Sequence, residues 1–153
     1  PHEMGEGHLR QLESQLAGWP VLRYSQATQQ NPAGYRVLII DNIGMLSSIY
    51  AYADVAYVGG AFKTGLHNIL EPATFGIPVV FGPHYHKFPE AQELVRQQGA
   101  FSVADGKQLQ AKMQQLFQDA HYRQATGHIC AQYIARRTGA ASIITRRLLQ
   151  TIL

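Results

Sequence analysis

The sequence predicts an α/β fold, a parallel sheet with helices on both faces. Three observations carry that prediction. Short apolar runs alternate with helix-length segments along the chain. Two of those runs, Asp54–Val58 and Ile77–Phe81, end in glycine turns, Gly59-Gly60 and Gly82-Pro83. A third run, Arg36–Ile40, is mostly apolar, as a strand covered on both faces would be. Alternation of this kind builds a parallel sheet, because each helix carries the chain back to start the next strand in the same direction.

The elements follow in order. Pro1-His2-Glu3 reads as a strand-to-loop junction, and the helix after it sets Leu9, Leu12 and Leu16 on one stripe. Gly18 and Pro20 stop that helix. Val21–Ser25 is a short strand, Gln26 to Gly34 a polar loop, and Arg36–Ile40 the next strand. Asp41-Asn42-Ile43-Gly44 makes a turn into a helix from Met45 to Ala53, followed by the Asp54–Val58 strand. A helix over Asn68–Phe75 stops at Gly76, and the Ile77–Phe81 strand comes next. Phe88-Pro89-Glu90 opens a helix that ends near Gln98-Gly99, before a last strand, Ala100–Val103. Ala104-Asp105-Gly106 turns into the helix Lys107–Gln118, and His121 to Leu153 is helical with breaks expected at Gly127 and Gly139.

Composition narrows the class. At 153 residues, with 46% hydrophobic and 15% charged residues, the chain is long and apolar enough for one ordinary folded core. Cys130 is the single cysteine, so no internal disulfide forms, and its setting suggests a small core residue on a helix. No apolar run reaches the roughly 18 residues of a membrane helix, and no signal-peptide pattern opens the chain, so a soluble chain is expected. A net charge of +3 suits an anionic ligand or surface without specifying one. Aromatic residues do not interleave with a basic run, so nucleic-acid binding is not expected. Arg136 and Arg147 would share a helix face only if Gly139 leaves the helix intact.

The chemistry concentrates in Gly59-Gly60-Ala61-Phe62-Lys63-Thr64-Gly65-Leu66-His67-Asn68-Ile69-Leu70-Glu71-Pro72. A strand, a glycine turn and a helix start together form an anion site, with outward backbone N–H groups and the positive end of the helix dipole. Glycine admits a ligand close to the backbone. Glu71, about one turn in, suits two vicinal hydroxyls such as a ribose. The same pattern also occurs without a ligand, the carboxylate then serving only as a dipole partner. The second glycine-bearing strand end, at Gly82-Pro83, favours the ligand reading, since open α/β sheets bind ligands at the carboxyl ends of their strands.

Four ordered segments resemble the C-terminal half of 3-deoxy-D-manno-octulosonic acid (Kdo) transferases. They are Asp41-Asn42-Ile43-Gly44, Ala53-Asp54-Val55-Ala56-Tyr57-Val58-Gly59-Gly60, His67-Asn68-Ile69-Leu70-Glu71, and Gly76-Ile77-Pro78-Val79-Val80-Phe81-Gly82-Pro83. The resemblance implies a Rossmann-like nucleotide-binding domain of a GT-B glycosyltransferase, here truncated at its N-terminus and covering residues 1–153. It implies binding of the CMP-Kdo donor for inverting transfer of Kdo to a lipid A precursor in lipopolysaccharide synthesis, with no metal or cofactor in the chemical step. It places CMP contacts at Pro1 and His2, at Ile43, Gly44 and Met45, and at Asn68, Ile69, Leu70 and Glu71. No catalytic residue is carried over, because the family's glutamate base lies in a separate N-terminal domain with the acceptor site and the membrane anchor. The full-length enzyme would work at the cytoplasmic face of the inner membrane, and the fragment would be left with an exposed sheet edge, through which it pairs with another chain (self-association included) or is partly destabilised. Leu66 stands where the family often has glycine, Met45 where an acidic residue is common, and His2 where some members have arginine.

Two further readings stay open: a donor half for a UDP-sugar, or a non-catalytic binding module. Among the seven histidines, His84-x-His86 is the nearest thing to a metal pair, but no third ligand stands out in the sequence. A surface loop at the site rim fits better, where His84, His86 and Lys87 could meet an anionic sugar carboxylate; Lys63, in the glycine loop, either faces the donor or is an exposed loop-tip lysine. Tyr50 and Tyr52 flank Ala51 on one helix and cannot both face the core.

Overall fold

The computed structural model describes residues 5–29, 31–63 and 65–152. Two compact units divide the chain, Pro1–Ser48 and Ile49–Leu153.

In the first unit, helix α1 (Glu6–Gln15) buries Leu9 and ends before Gly18, whose φ of 96° turns the chain toward Pro20. Strands β1 (Val21–Arg23) and β2 (Val37–Ile39) pair in parallel, Val21 opposite Val37 and Arg23 opposite Ile39. Arg23 ties β1 to α1: its Nε donates to Glu13 Oε1 at 2.7 Å and its Nη1 to Glu6 Oε2 at 2.9 Å. The guanidinium holds both carboxyls below the usual glutamate range. The stretch expected to be a plain polar loop is wound into two short 3-10 turns, Tyr24–Gln29 and Pro32–Gly34. Leu38 is 51% exposed, so within this unit β2 is not the doubly covered strand its composition suggests.

The helix expected over Met45–Ala53 is instead one α turn, α2 (Leu46–Ile49), followed by a 3-10 turn, Tyr50–Tyr52. Ser47, Ser48, Ile49 and the tyrosines are all indifferent helix formers, and four residues are too few to stabilise a longer helix alone.

The second unit holds a three-stranded parallel sheet in the order β3 (Ala56–Val58), β4 (Val79–Phe81), β5 (Ala100–Ser102). All three residues of the central β4 are fully buried. Successive side chains in a strand point to opposite faces, and the two cores divide accordingly. Val79 and Phe81 pack with Ile69, Ala73, Ala91, Leu94, Cys130 and Tyr133. Val80 packs with Val103 and Leu116, flanked by Leu109 and Met113. Helices α3 (Leu70–Thr74), α4 (Pro89–Arg96) and α6 (Ala120–Ala135) thus supply the first core, and α5 (Gly106–Gln118) the second. The expected arrangement of helices on both faces is found around this sheet.

Asp105 and Asp119 cap α5 and α6, each accepting at 2.8 Å from the N–H three residues on. Helix α6 passes through Gly127 unbroken, against expectation. Gly127 is buried, and a methyl group there would overlap the Gly76 carbonyl, so the glycine serves close packing of α6 on the α3–β4 turn. Gly76 itself has a φ of 66° and ends α3. Gly139, with a φ of 107°, does break the chain between α6 and α7 (Ala140–Ile152), so Arg136 and Arg147 do not lie on one continuous helix. No helix among the described residues is long and apolar enough to cross a membrane.

Cys130 is the core residue expected. Its Sγ–H donates to the Gly99 carbonyl at 3.0 Å, and burial pushes the thiol pKa up to about 12. A thiolate is the reactive form, so an aromatic disulfide reagent should leave Cys130 unlabelled in native protein and label it fully in denaturant; rapid native labelling would contradict the packing. Gly127→Ala should destabilise the fold by about 1–3 kcal/mol through overpacking, read as a lowered denaturation midpoint, whereas an unchanged midpoint would show that α6 can move away from Gly76.

Candidate nucleotide site

The Asp41–Met45 turn follows β2 in the first unit. Asp41 fixes its start: Oδ1 accepts from the Ser25 N–H at 2.9 Å and Oδ2 from the Ser25 hydroxyl at 2.6 Å. The Ser25 hydroxyl, more than any other group, draws the Asp41 pKa below the ordinary aspartate range. Gly44 has a φ of 93°, a conformation that disfavours a side chain and leaves the backbone uncovered. Asn42 Nδ2 lies 2.9 Å from Met45 Sδ, which ties the Met45 side chain across the turn. Ile43 is 91% exposed, an unusual setting for so large an apolar side chain. The three expected residues of this turn therefore present an open backbone and an apolar side chain.

In the second unit, the β3–β4 register sets Val58 opposite Phe81, so Gly59 and Gly82 leave the sheet side by side. The loop after β3 then closes on itself. Lys63 N–H and Gly65 N–H both donate to the Gly60 carbonyl, at 3.0 and 3.2 Å. Gly60 has a φ of 91°, and a methyl group on it would run into the Gly65 carbonyl and the His67 ring. Leu66, the departure from glycine, is 6% exposed and anchors the loop in the core.

Asn68 sets the start of the next helix. Its Oδ1 accepts from the Leu70 N–H at 3.0 Å, an Asx turn that begins α3 two residues later than expected. Its Nδ2 donates to Glu71 Oε1 at 2.9 Å. The free helix-start amides expected here are thus fewer. Leu70 N–H is taken by Asn68, Pro72 carries no N–H, and α3 is only five residues long. Of the first turn, the Glu71 N–H has no partner among the described hydrogen bonds. The Asn68 amide keeps a second proton, and Glu71 Oε2 accepts none of those bonds. Donor and acceptor sit together, already oriented by each other.

Ile69 is 2% exposed and belongs to the core, so only its backbone can meet a ligand. Leu70 is half-buried against the same core. Pro1 and His2 lie outside the described residues. Tyr50, one of the two tyrosines of which the sequence lets only one face the core, stands near Glu71. Burial first, and then the Glu71 charge, push its hydroxyl pKa above the ordinary tyrosine value. Its ring leans on Phe75, 6.2 Å between centroids, while Tyr52 is 90% exposed. No sequence signal marks Tyr50, because its proximity to Glu71 comes from the packing of the turn before β3. Among the described residues, no three His, Cys, Asp or Glu side chains gather as a metal site.

A parallel α/β sheet with glycine turns at adjacent strand ends, and an Asn–Glu pair opening the next helix, is the class of arrangement in which open α/β domains bind ligands at the carboxyl ends of their strands. No family model matches the sequence. Curated relatives do. The chain is 39% identical over 82 residues to 3-deoxy-D-manno-octulosonic acid transferase of Aquifex aeolicus, covering 52% of this chain and 23% of that protein. It is 31% identical over 140 residues to the transferase of the same name from Bordetella pertussis, covering 90% of this chain and 32% of that protein. Among solved structures, the C-terminal CMP-Kdo binding domain of WaaA from Acinetobacter baumannii superposes with a TM-score of 0.73 at 25% identity, over 91% of this chain and 72% of that one. In particular, then, the chain matches the C-terminal part of the Kdo transferases in both sequence and fold. It spans between 23% and 32% of the length of these two relatives.

The Ser25–Asp41 link gives a pH signature. A carboxyl with a lowered folded pKa contributes stability above its unfolded pKa and loses it as pH falls through the folded value. Asp41→Asn should therefore lower the thermal midpoint at pH 7, and the gap to wild type should shrink as the pH is taken below the ordinary carboxylate range. A gap that stays constant down to about pH 2, below the usual carboxylate pKa values, would show that the turn does not depend on the Asp41 charge.

Proposed function

We propose that this chain is the donor-binding domain of a Kdo transferase, residues 1–153, and that it holds the CMP moiety of CMP-Kdo. The observation that carries the proposal is the Asn68–Glu71 pair at 2.9 Å, placed on the connection that follows β3. Glu71 Oε2 receives two vicinal ribose hydroxyls, while the Glu71 N–H and the second Asn68 amide proton meet the phosphate. The Ile43-Gly44-Met45 turn offers its uncovered backbone and the exposed Ile43 side chain to the nucleotide. Pro1 and His2 complete the set by resemblance. The similar Acinetobacter domain is a CMP-Kdo binding domain, which supports the same assignment.

In the whole enzyme, this domain would stabilise the CMP phosphate as it departs, through preoriented hydrogen-bond donors that act where charge develops. A general base carried elsewhere in the enzyme would deprotonate the acceptor hydroxyl of a lipid A precursor at the inner membrane. No residue of this chain is assigned that role.

Calorimetric titration of CMP, with UMP and AMP as controls, tests the reading. The expected result is selective CMP binding, weakened about tenfold or more in Glu71→Ala as charged hydrogen bonds to ribose are lost. Equal binding of the three nucleotides would contradict a CMP-specific site, and unchanged CMP affinity in a folded Glu71→Ala protein would remove Glu71 and its partner from it.

A further inference from the structure

Beside the nucleotide element, the loops after β3 and β4 enclose a cleft of about 380 Å³ lined by Lys63, Gly65, His84, His86, Lys87 and Phe88. Four of these six residues are basic and none is acidic. Cross-links between the loops hold the cleft walls in place. The His84 N–H donates to the Ala61 carbonyl at 2.9 Å, and the Phe62 ring sits so close over Gly82 that a methyl group there would collide with it. Gln92 Nε2 donates to the His86 carbonyl at 2.7 Å, and the His86 ring stacks on Tyr85 with 4.5 Å between centroids. Lys63, His84, His86 and Lys87 are exposed, and none of them has a carboxylate partner among the described ion pairs.

Two lysine ammoniums without carboxylate partners, flanked by two imidazoles that can hydrogen-bond, give one cleft a positive lining that attracts a compact oxyanion. The two lysines provide mobile point charges, and the imidazoles and the Gly65 backbone line the space between them. We infer that this cleft is a second anion subsite, distinct from the Asn68–Glu71 pair, and that it binds the carboxylate of the donor's sugar acid. Only the sugar assignment rests on the proposed donor reading; the oxyanion preference rests on the cleft's own charges. Lys63 and Gly65 of the cleft lie on the same β3–α3 connection that leads to the Asn68–Glu71 pair, which suits the two ends of a single nucleotide-sugar. Phe88, half-buried at the cleft, gives the uncharged face of such a sugar an apolar surface.

The test uses the purified protein and a Lys63→Ala/Lys87→Ala double variant, both lysines being exposed and outside the core. Free Kdo, its neutral methyl ester, inorganic phosphate and CMP are titrated separately at one fixed ionic strength. The expected result is that the double variant loses about tenfold or more in Kdo affinity, as charge-assisted bonds are removed. CMP affinity should stay within about twofold, well under the tenfold that 1.4 kcal/mol represents, and the methyl ester should bind wild type as weakly as Kdo binds the variant. If the variant loses CMP or phosphate binding while Kdo is unaffected, the cleft is a phosphate site and the carboxylate assignment falls. If none of the ligands responds to the double substitution, the cleft is a solvated basic surface and the inference fails entirely. A wild type that binds Kdo but not CMP would overturn the nucleotide reading while leaving the anion subsite standing.

Discussion

The parallel register that sets Val58 opposite Phe81 is the constraint on which the second unit depends. It fixes β4 as a central strand whose three side chains are fully enclosed, Val79 and Phe81 toward one core and Val80 toward the other. It also brings Gly59 and Gly82 out of the sheet together. The residues proposed to face a ligand in this unit lie on the chain beyond those two exits. A slip of one residue would send Val79 and Phe81 to the opposite face and break both cores at once.

Small residues shape the loops that the proposed site uses. Gly60 lets the β3 loop close on its own carbonyl, Gly82 lets Phe62 lie flat against the β4 exit, and Gly127 lets α6 press on the turn at Gly76. The backbone is thereby held by packing on the side away from the solvent and left open on the side toward it. Asn68 completes the arrangement, committing its carbonyl to the start of α3 and its amide to Glu71. Such preorientation matters for binding, because a side chain already held in place loses little further freedom when the ligand arrives.

The alternation of apolar runs and helical segments, the glycine exits and the Asn68–Glu71 element are all legible from residue order alone. How much of each element is regular is not. The helix expected from Asn68 begins at Leu70, because an asparagine whose side chain binds the N–H two residues on makes a turn in place of helix. The helix expected over Met45–Ala53 reduces to two single turns for lack of strong helix formers and length. Gly127 looks like a break in sequence, yet its role lies against a carbonyl from another part of the chain, which no local pattern can show. Leu38 looks enclosed for a related reason: hydropathy reports what a side chain tolerates and says nothing of what covers it. The basic cleft exists in sequence only as scattered Lys63, His84, His86 and Lys87; the bond from His84 to Ala61 is what ties the two loops together.

The most direct measurement is a crystal structure of the protein with CMP bound. The expected electron density places the ribose hydroxyls within hydrogen-bond distance of Glu71 Oε2, with the phosphate against the Glu71 N–H and the Asn68 amide, and leaves the Lys63–Lys87 cleft free for the sugar. Density for CMP seated away from Glu71, with the Asn68–Glu71 bond undisturbed and untouched by ligand, would contradict the claim that this pair is the core of the donor site.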